Sequence, residues 1–424
     1  MLSRDRAAAL TLAFAAAAGP VFAQGDLRER INHALDQARP ALLAHLRAAD
    51  RSDVRPGELG LVVLAGVHDG LGLQDDAFAK ALQRFARCNP QETYDLALRL
   101  MVCEAFASFP DRETVARKDA KELLTHRTRS GGFGYGPSPA DWDLSNTQYG
   151  ALGLRSARAL GVRVERAVWQ KLAETVGEQQ DSYGGFEYAR GEGAEAYASM
   201  TAAGIAVLAI CRQELDDGGK APKSLDAKIE RGWQWFARKP TAIGSRDERW
   251  TYYFHYGLER AGILCDVGKV GNRDWYEAGA TMLIGEQLAG GGWNSLMDGY
   301  PGEVLAAGRG ALVPTSFAVL FLRRKFQKVV GAVTPRVVML ANLAADARPA
   351  DVEACIAELV RRGKPAMPDV LQALRSEIEP QRRAAATALE AIAGERFGFD
   401  PVKDAEANRD AVHRAELWWL KNRG

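Results

Sequence analysis

One short element recurs along the chain and limits what it can fold into. Ser130-Gly-Gly-Phe-Gly-Tyr135 returns 53 residues later as Tyr183-Gly-Gly-Phe-Glu-Tyr188, and Gly290-Gly-Gly-Trp293 lies about two periods further on. A Thr marks the start of an apolar stretch at the same period: Thr93, Thr147, Thr201, Thr251 and Thr315, spaced by 54, 54, 50 and 64 residues. Seven residues after each stands a Leu: Leu100, Leu154, Leu208, Leu258 and Leu322. Seven residues are two helical turns, so each Thr shares a face with its Leu. A unit of this length, repeated without alternating strand patterns, reads as a helical hairpin.

Within each unit the first helix is half polar: Arg117–Thr128, Arg166–Gln180, Leu225–Arg238 and Trp275–Gln287. The second is apolar nearly all round: Tyr149–Leu160, Met200–Ile210, Tyr252–Leu264 and Ser316–Leu322. A helix apolar on every side is buried and a half-polar one faces water, so an inner layer is wrapped by an outer one. Upstream, Leu27–Ala48 pairs with Glu58–His68, and Ala77–Arg87 with Thr93–Ser108. Six hairpins between residues 27 and 326 can close into a ring, which removes the exposed ends that an open solenoid must cap. The expected fold is all-α, an (α/α)6 toroid.

This layout resembles the toroid shared by squalene and terpene cyclases, protein prenyltransferase β subunits and complement-type thioester domains. It also looks like exported bacterial proteins with prenyltransferase and squalene-oxidase repeats. Ala278-Gly-Ala-Thr-Met-Leu-Ile-Gly-Glu-Gln287 before Gly-Gly-Gly-Trp293 is similar to the Gln-Trp repeat of the cyclases, in which Gln and a Gly-rich turn tie one outer helix to the next inner one. The resemblance implies a fold, and a fold does not fix chemistry.

The catalytic signatures of those families do not carry over. The cyclase acid lies in an Asp-x-Asp-Asp-Thr stretch. Here Asp141-Trp-Asp-Leu-Ser-Asn-Thr147 keeps Asp143 but puts Ser145 at the acid and Asn146 beside it, and a hydroxyl is too weak to protonate an alkene. Asp143 or Ser145 then reads as a helix cap. The prenyltransferase zinc positions become Asp247, Arg249 and Pro314, which do not form a zinc set. Ile284-Gly-Glu-Gln287 lacks the thioester Cys. No metal or cofactor is therefore expected. His255, within Trp250-Thr-Tyr-Tyr-Phe-His-Tyr256, reads as a general base in a cavity or as a bonded core residue. With Asp143 it is the catalytic candidate. Glu187, Glu195, Asp298 and Glu303 fall in loops, where no spacing picks out a carboxylate pair.

A pocket is the remaining prospect. Trp142, Asn146, Tyr149, Trp250, Tyr253 and Trp293 sit at or near inner-helix starts and are the expected ligand-binding residues, for an apolar or glycan ligand. The leading reading is a non-catalytic binding or scaffold protein. The alternative is an enzyme of the toroid class, acting on a polyisoprenoid or a polysaccharide, with a site at the toroid mouth.

The ends read differently. Met1–Ala23, with Arg4 and Arg6 before an apolar run and Gly19-Pro20 near its end, reads as a secretory signal peptide, so the protein is expected to be periplasmic or secreted. With 55 basic and 54 acidic residues, no nucleic-acid partner is implied, and no stretch reads as transmembrane. The five Cys form no Cys-x-x-Cys pair. Residues 327–348 read as a linker. Residues 349–424 read as a HEAT-like helical cap, with helices Asp351–Arg362, Met367–Ile378 and Gln381–Ala393 and a last one ending at Trp418-Trp419, a surface for a protein partner or for packing on the ring.

Overall fold

The computed structural model describes residues 27–49, 54–189, 195–216, 222–295, 310–323, 349–404 and 406–422. Residues 1–23, read above as a leader, residues 327–348, read as a linker, and Asp298 and Glu303 lie outside them.

Six hairpins follow in order: α1 (Leu27–Ala48) with α2 (Pro56–Asp69), α3 (Asp76–Arg87) with α4 (Thr93–Ala105), and α5 (Arg112–Thr125) with α6 (Leu144–Ala159). Then come α7 (Arg166–Gln179) with α8 (Ala198–Leu215), α9 (Lys223–Arg238) with α10 (Thr251–Cys265), and α11 (Trp275–Gly285) with α12 (Leu312–Arg323). The even-numbered helices pack in sequence, α2 on α4 through to α12, and α12 packs back on α2. The body is thus a closed all-α toroid. α8 buries every residue except Arg212, whereas outer α3 buries one stripe, Ala77, Phe78, Ala81, Leu82 and Phe85. Each of the five Leu that follow the Thr residues is buried.

Several boundaries differ from the sequence reading. α6 begins at Leu144 because Asp143 caps it, accepting from the Asn146 amide at 2.8 Å. α5 runs earlier than expected, stopping at Thr125 because Arg127 bridges to Phe133. Strands β1 (Lys269–Val270) and β2 (Arg273–Asp274) form a minimal antiparallel hairpin before α11. Two residues each are too few to show alternation.

The recurring element now has a mechanism. The amides of Phe133, Phe186 and Trp293 donate to the hydroxyls of Thr147, Thr201 and Thr315, at 2.9, 3.2 and 3.0 Å. Each Thr therefore pins its own turn to its inner helix. The aromatic side chain then fills the space inside the hairpin. Phe133 sits against Gly150 and Phe186 against Gly204, where a Cβ would come within 2.6 Å of the ring. Burying one such ring contributes roughly 1.5–3 kcal/mol.

The first Gly of the Gly-Gly-aromatic turn docks on the next outer helix. A Cβ on Gly184 would lie 2.2 Å from the Arg231 carbonyl oxygen of α9. A Cβ on Gly291, in the last hairpin, would lie 2.0 Å from the Gln37 carbonyl oxygen of α1. The sixth turn thus meets the first helix as the fourth meets α9. Gln287 Nε2 also donates to the Ala34 carbonyl of α1 and to Gly291, both at 2.8 Å. Asp69 of α2, buried, accepts from Arg323 of α12 at 2.5 Å and lies 3.0 Å from Arg39 of α1. Bonds, packing and charge all close the ring at one seam.

Residues 349–422 carry a second core, built from Leu359, Val370, Leu374, Leu389, Phe399 and Ala415. Its helices are α13 (Pro349–Arg362), α14 (Met367–Ala373), α15 (Glu379–Ala393) and α16 (Arg409–Asn422). α14 is shorter than the expected Met367–Ile378. The chain turns at Ser376, whose hydroxyl meets Gln381 and accepts from the Ile378 amide.

Candidate functional site

All six inner helices start at the same end of the toroid, and their first turns enclose a cavity of about 550 Å³. Glu58 and Leu61 come from α2, Tyr94 and Leu98 from α4, Ser145 and Tyr149 from α6. Met200, Tyr253 and Phe317 come from α8, α10 and α12. The preceding loops add Arg55, Glu92, Tyr135, Tyr188, Tyr197, Arg249 and Trp250. The size falls within the roughly 300–1,000 Å³ typical of small-molecule sites.

The rings form a connected set. Tyr94 and Tyr149 lie 4.3 Å apart by centroid, and Tyr149 and Tyr253 lie 6.4 Å apart with planes 12° from parallel. Phe317 meets Tyr253 edge-on at 6.0 Å. Tyr253 is fixed by its hydroxyl, which donates to Gln148 Oε1 at 2.6 Å. At the mouth the Tyr135 and Tyr188 hydroxyls are 3.2 Å apart. Burial and that hydrogen bond push the Tyr188 phenol up, so it stays protonated.

Charge is concentrated on the α2–α4 side. Glu58 pairs with Arg55 at 2.9 Å. Asp95 Oδ2 accepts from the amides of Gln91 and Glu92, at 3.0 and 3.1 Å, and so completes a capping box with Glu92 at the start of α4. Burial, then the nearby Asp95 charge, raise the Glu92 carboxyl above its ordinary value against the pull of Arg55. On the other side the Arg249 guanidinium lies 5.6 Å over the Tyr197 ring and 6.0 Å over Trp250.

Of the residues singled out in the sequence, Tyr149, Trp250 and Tyr253 line this cavity. Asp143, Asn146, Trp142, Trp293 and His255 do not. Asp143 accepts from the Ser145 hydroxyl at 2.7 Å and from the Asn146 amide and side chain, both at 2.8 Å. With three donors on it, this carboxylate serves the helix start. Asn146 is fully buried beside it. Trp142 is half-buried and covers Gly132, where a Cβ would come within 2.4 Å of its ring. Trp293 is fully buried, and its indole N–H donates to the Leu283 carbonyl at 2.7 Å. It occupies the turn position of Phe133 and Phe186, so it packs the hairpin. Glu187 and Glu195 are not on the cavity wall either.

His255 is fully buried, 2.7 Å from the Thr251 carbonyl through Nδ1 and accepting the Gly244 amide on Nε2 at 3.2 Å. In the fifth hairpin it takes the turn amide that a Thr takes elsewhere, because the Thr251 hydroxyl is turned to the carbonyls of Arg246 and Glu248. Burial pulls its pKa down to about 4. It is therefore a neutral structural residue, not a base facing the cavity.

Sequence reasoning missed Arg55, Glu58, Glu92, Tyr94, Tyr188, Tyr197 and Arg249. A usable signal was present. The residue two after each Thr is Asp95, Tyr149, Ala203, Tyr253 and Phe317, and all but Ala203 line the cavity.

Among the described residues no three His, Cys, Asp or Glu side chains gather as a metal set, and no helix is long and apolar enough to cross a membrane. No family model and no curated protein matches the chain. Solved structures similar to it include those of the type II terpene cyclase MstE from Scytonema. One, a variant in complex with geranylgeranyl dihydroxybenzoate, has a TM-score of 0.46 and 13% identity, covering 70% of this chain and 98% of that one. The apo enzyme gives 0.44 and 14%, over 70% and 98%. A complex with merosterolic acid A gives 0.43 and 14%, over 70% and 97%. The chain is an all-α toroid.

Proposed function

We propose that the protein is an exported, non-catalytic binding protein that holds a ligand with an apolar body in the toroid cavity. The observation that carries this reading is a cavity of about 550 Å³ walled by tyrosines, Trp250 and Phe317. The two catalytic candidates support it by being occupied: Asp143 caps α6 and His255 holds a turn. At the place of the cyclase acid, Ser145 reaches the wall, but its hydroxyl is given to Asp143. Export rests on the leader-like Met1–Ala23 alone.

One observation favours the enzyme alternative. Glu92 is a carboxyl on the cavity wall that keeps its proton to higher pH than usual, as a general acid needs. Both readings are tested with protein purified from its own host. Native mass spectrometry is expected to find a co-purifying apolar molecule, and calorimetry is expected to show binding of farnesol but not of maltotriose. Binding of maltotriose alone would exchange the apolar ligand for a glycan. Conversion of farnesol to a new product, lost in Glu92→Gln, would replace binding by catalysis.

A further inference from the structure

Trp250 sits in the left-handed region, with φ 61° and ψ 50°, where it caps α10. The corresponding caps of α4, α6 and α8 are Glu92, Asp143 and Tyr197, all extended, with φ of −110°, −130° and −135°. A bulky side chain at positive φ is strained, and such strain persists only where the surroundings fix it. Here they do. The Thr251 hydroxyl lies 3.0 and 2.6 Å from the carbonyls of Arg246 and Glu248, and the Phe254 amide donates to Trp250 at 2.7 Å. Among the described residues the other aromatic at positive φ is Phe397, whose carbonyl is held by Arg414 Nε and Nη2 at 3.0 and 2.8 Å. The Trp250 indole is on the cavity wall, half-buried.

At this backbone Trp250 stands on the cavity wall, and the Arg249 guanidinium lies over both the Tyr197 and Trp250 rings, 5.6 and 6.0 Å from their centroids. Tyr149 and Tyr253, with planes 12° apart, present nearly parallel rings. We infer that Trp250 is the specificity-determining residue of the cavity, held under backbone strain so that its indole selects ligands with a flat, unsaturated or ring-bearing body over saturated chains. This rests on the binding reading above and adds to it the shape of the ligand.

The full chain is tested with two uncharged probes: N-phenyl-1-naphthylamine, which carries a flat naphthalene ring and fluoresces on binding, and 1-dodecanol, which displaces it. Trp250→Ala and Trp250→Gly are each expected to weaken the naphthylamine about tenfold or more, while dodecanol changes less than about threefold. Thermal melting supplies the second readout. At an ordinary φ, Ala is the more stable choice; at a left-handed one, Gly is. Trp250→Gly is expected to melt about 2 °C or more above Trp250→Ala. The inference is overturned if both variants keep the naphthylamine affinity, if the two probes weaken equally, or if the Ala variant is as stable as the Gly variant. Wild type that binds neither probe overturns the binding reading and this inference with it. Wild type that binds both, with variants unchanged, overturns only the role of Trp250.

Discussion

Gly291→Ala is expected to destabilise the protein by about 2–5 kcal/mol, seen as a lower urea midpoint. Two costs add. Gly291 has φ 89°, a conformation that costs an L-residue roughly 1–2 kcal/mol. Its new methyl would also lie 2.0 Å from the Gln37 carbonyl oxygen and 2.8 Å from its carbon. That obstacle is backbone of α1, which cannot swing away as a side chain can, and overpacking typically costs 1–3 kcal/mol. Gly184→Ala is expected to behave alike, with its Cβ 2.2 Å from the Arg231 oxygen. Gly131→Ala should cost less, because its Cβ would meet Lys171 Cγ at 2.8 Å and the Lys171 backbone no closer than 3.1 Å, against 2.0 Å for the backbone facing Gly291. A loss below about 1 kcal/mol for Gly291→Ala would mean that the last turn does not rest on the first helix.

The second large effect depends on pH. His255 is neutral, with its Nδ1–H given to the Thr251 carbonyl and its Nε2 lone pair taken by the Gly244 amide. Protonating Nε2 would set one N–H against another. The imidazole pKa is lowered to about 4 in the folded chain, from an ordinary 6.5. The unfolded chain therefore binds a proton first as pH falls. Its contribution is complete above about pH 6.5 and is lost on going down toward pH 4, a total of about 3 kcal/mol. His255→Gln keeps an amide there that does not titrate. The difference in unfolding free energy between pH 7.5 and 4.5 should be smaller in His255→Gln than in wild type by about 2–3 kcal/mol. Equal pH dependence in the two proteins would contradict the buried, neutral imidazole.

The period of the Thr and Leu residues was enough to place five of the six hairpins, and the apolar run Glu58–His68 after Leu27–Ala48 placed the first, because buried all-round helices leave a long, unambiguous apolar signal. The helix starts were less visible. Leu144, Ala198 and Leu312 precede the apolar runs in α6, α8 and α12, since first turns are set by caps rather than by hydrophobic period.

The site was half legible, and rotation about the helix axis explains which half. At 100° per residue, a Leu seven after a Thr returns to the Thr face, which looks toward the turn and the outer layer. A residue two after the Thr is turned about 200° and faces the cavity, as Tyr149, Tyr253 and Phe317 do. His255 is four after Thr251, so it shares the Thr face and holds a turn. Nearness to a helix start suggested Asn146, Trp142 and Trp293 equally well, but it carries no direction. The strain at Trp250 had no sequence signal, because only the loop geometry of Arg246 to Thr251 imposes it.

The distance between α1 and α11 tests the central claim, that the hairpin ring closes. Spin labels at Asp36 and Thr281, both exposed, would be read by pulsed electron-electron resonance. Packed helices lie about 8–10 Å apart, so a closed ring predicts one narrow distribution at short distance. An open superhelix of six hairpins would part its ends by roughly 50 Å, five steps of about 10 Å. A broad distribution near that value would contradict the ring and remove the cavity with it.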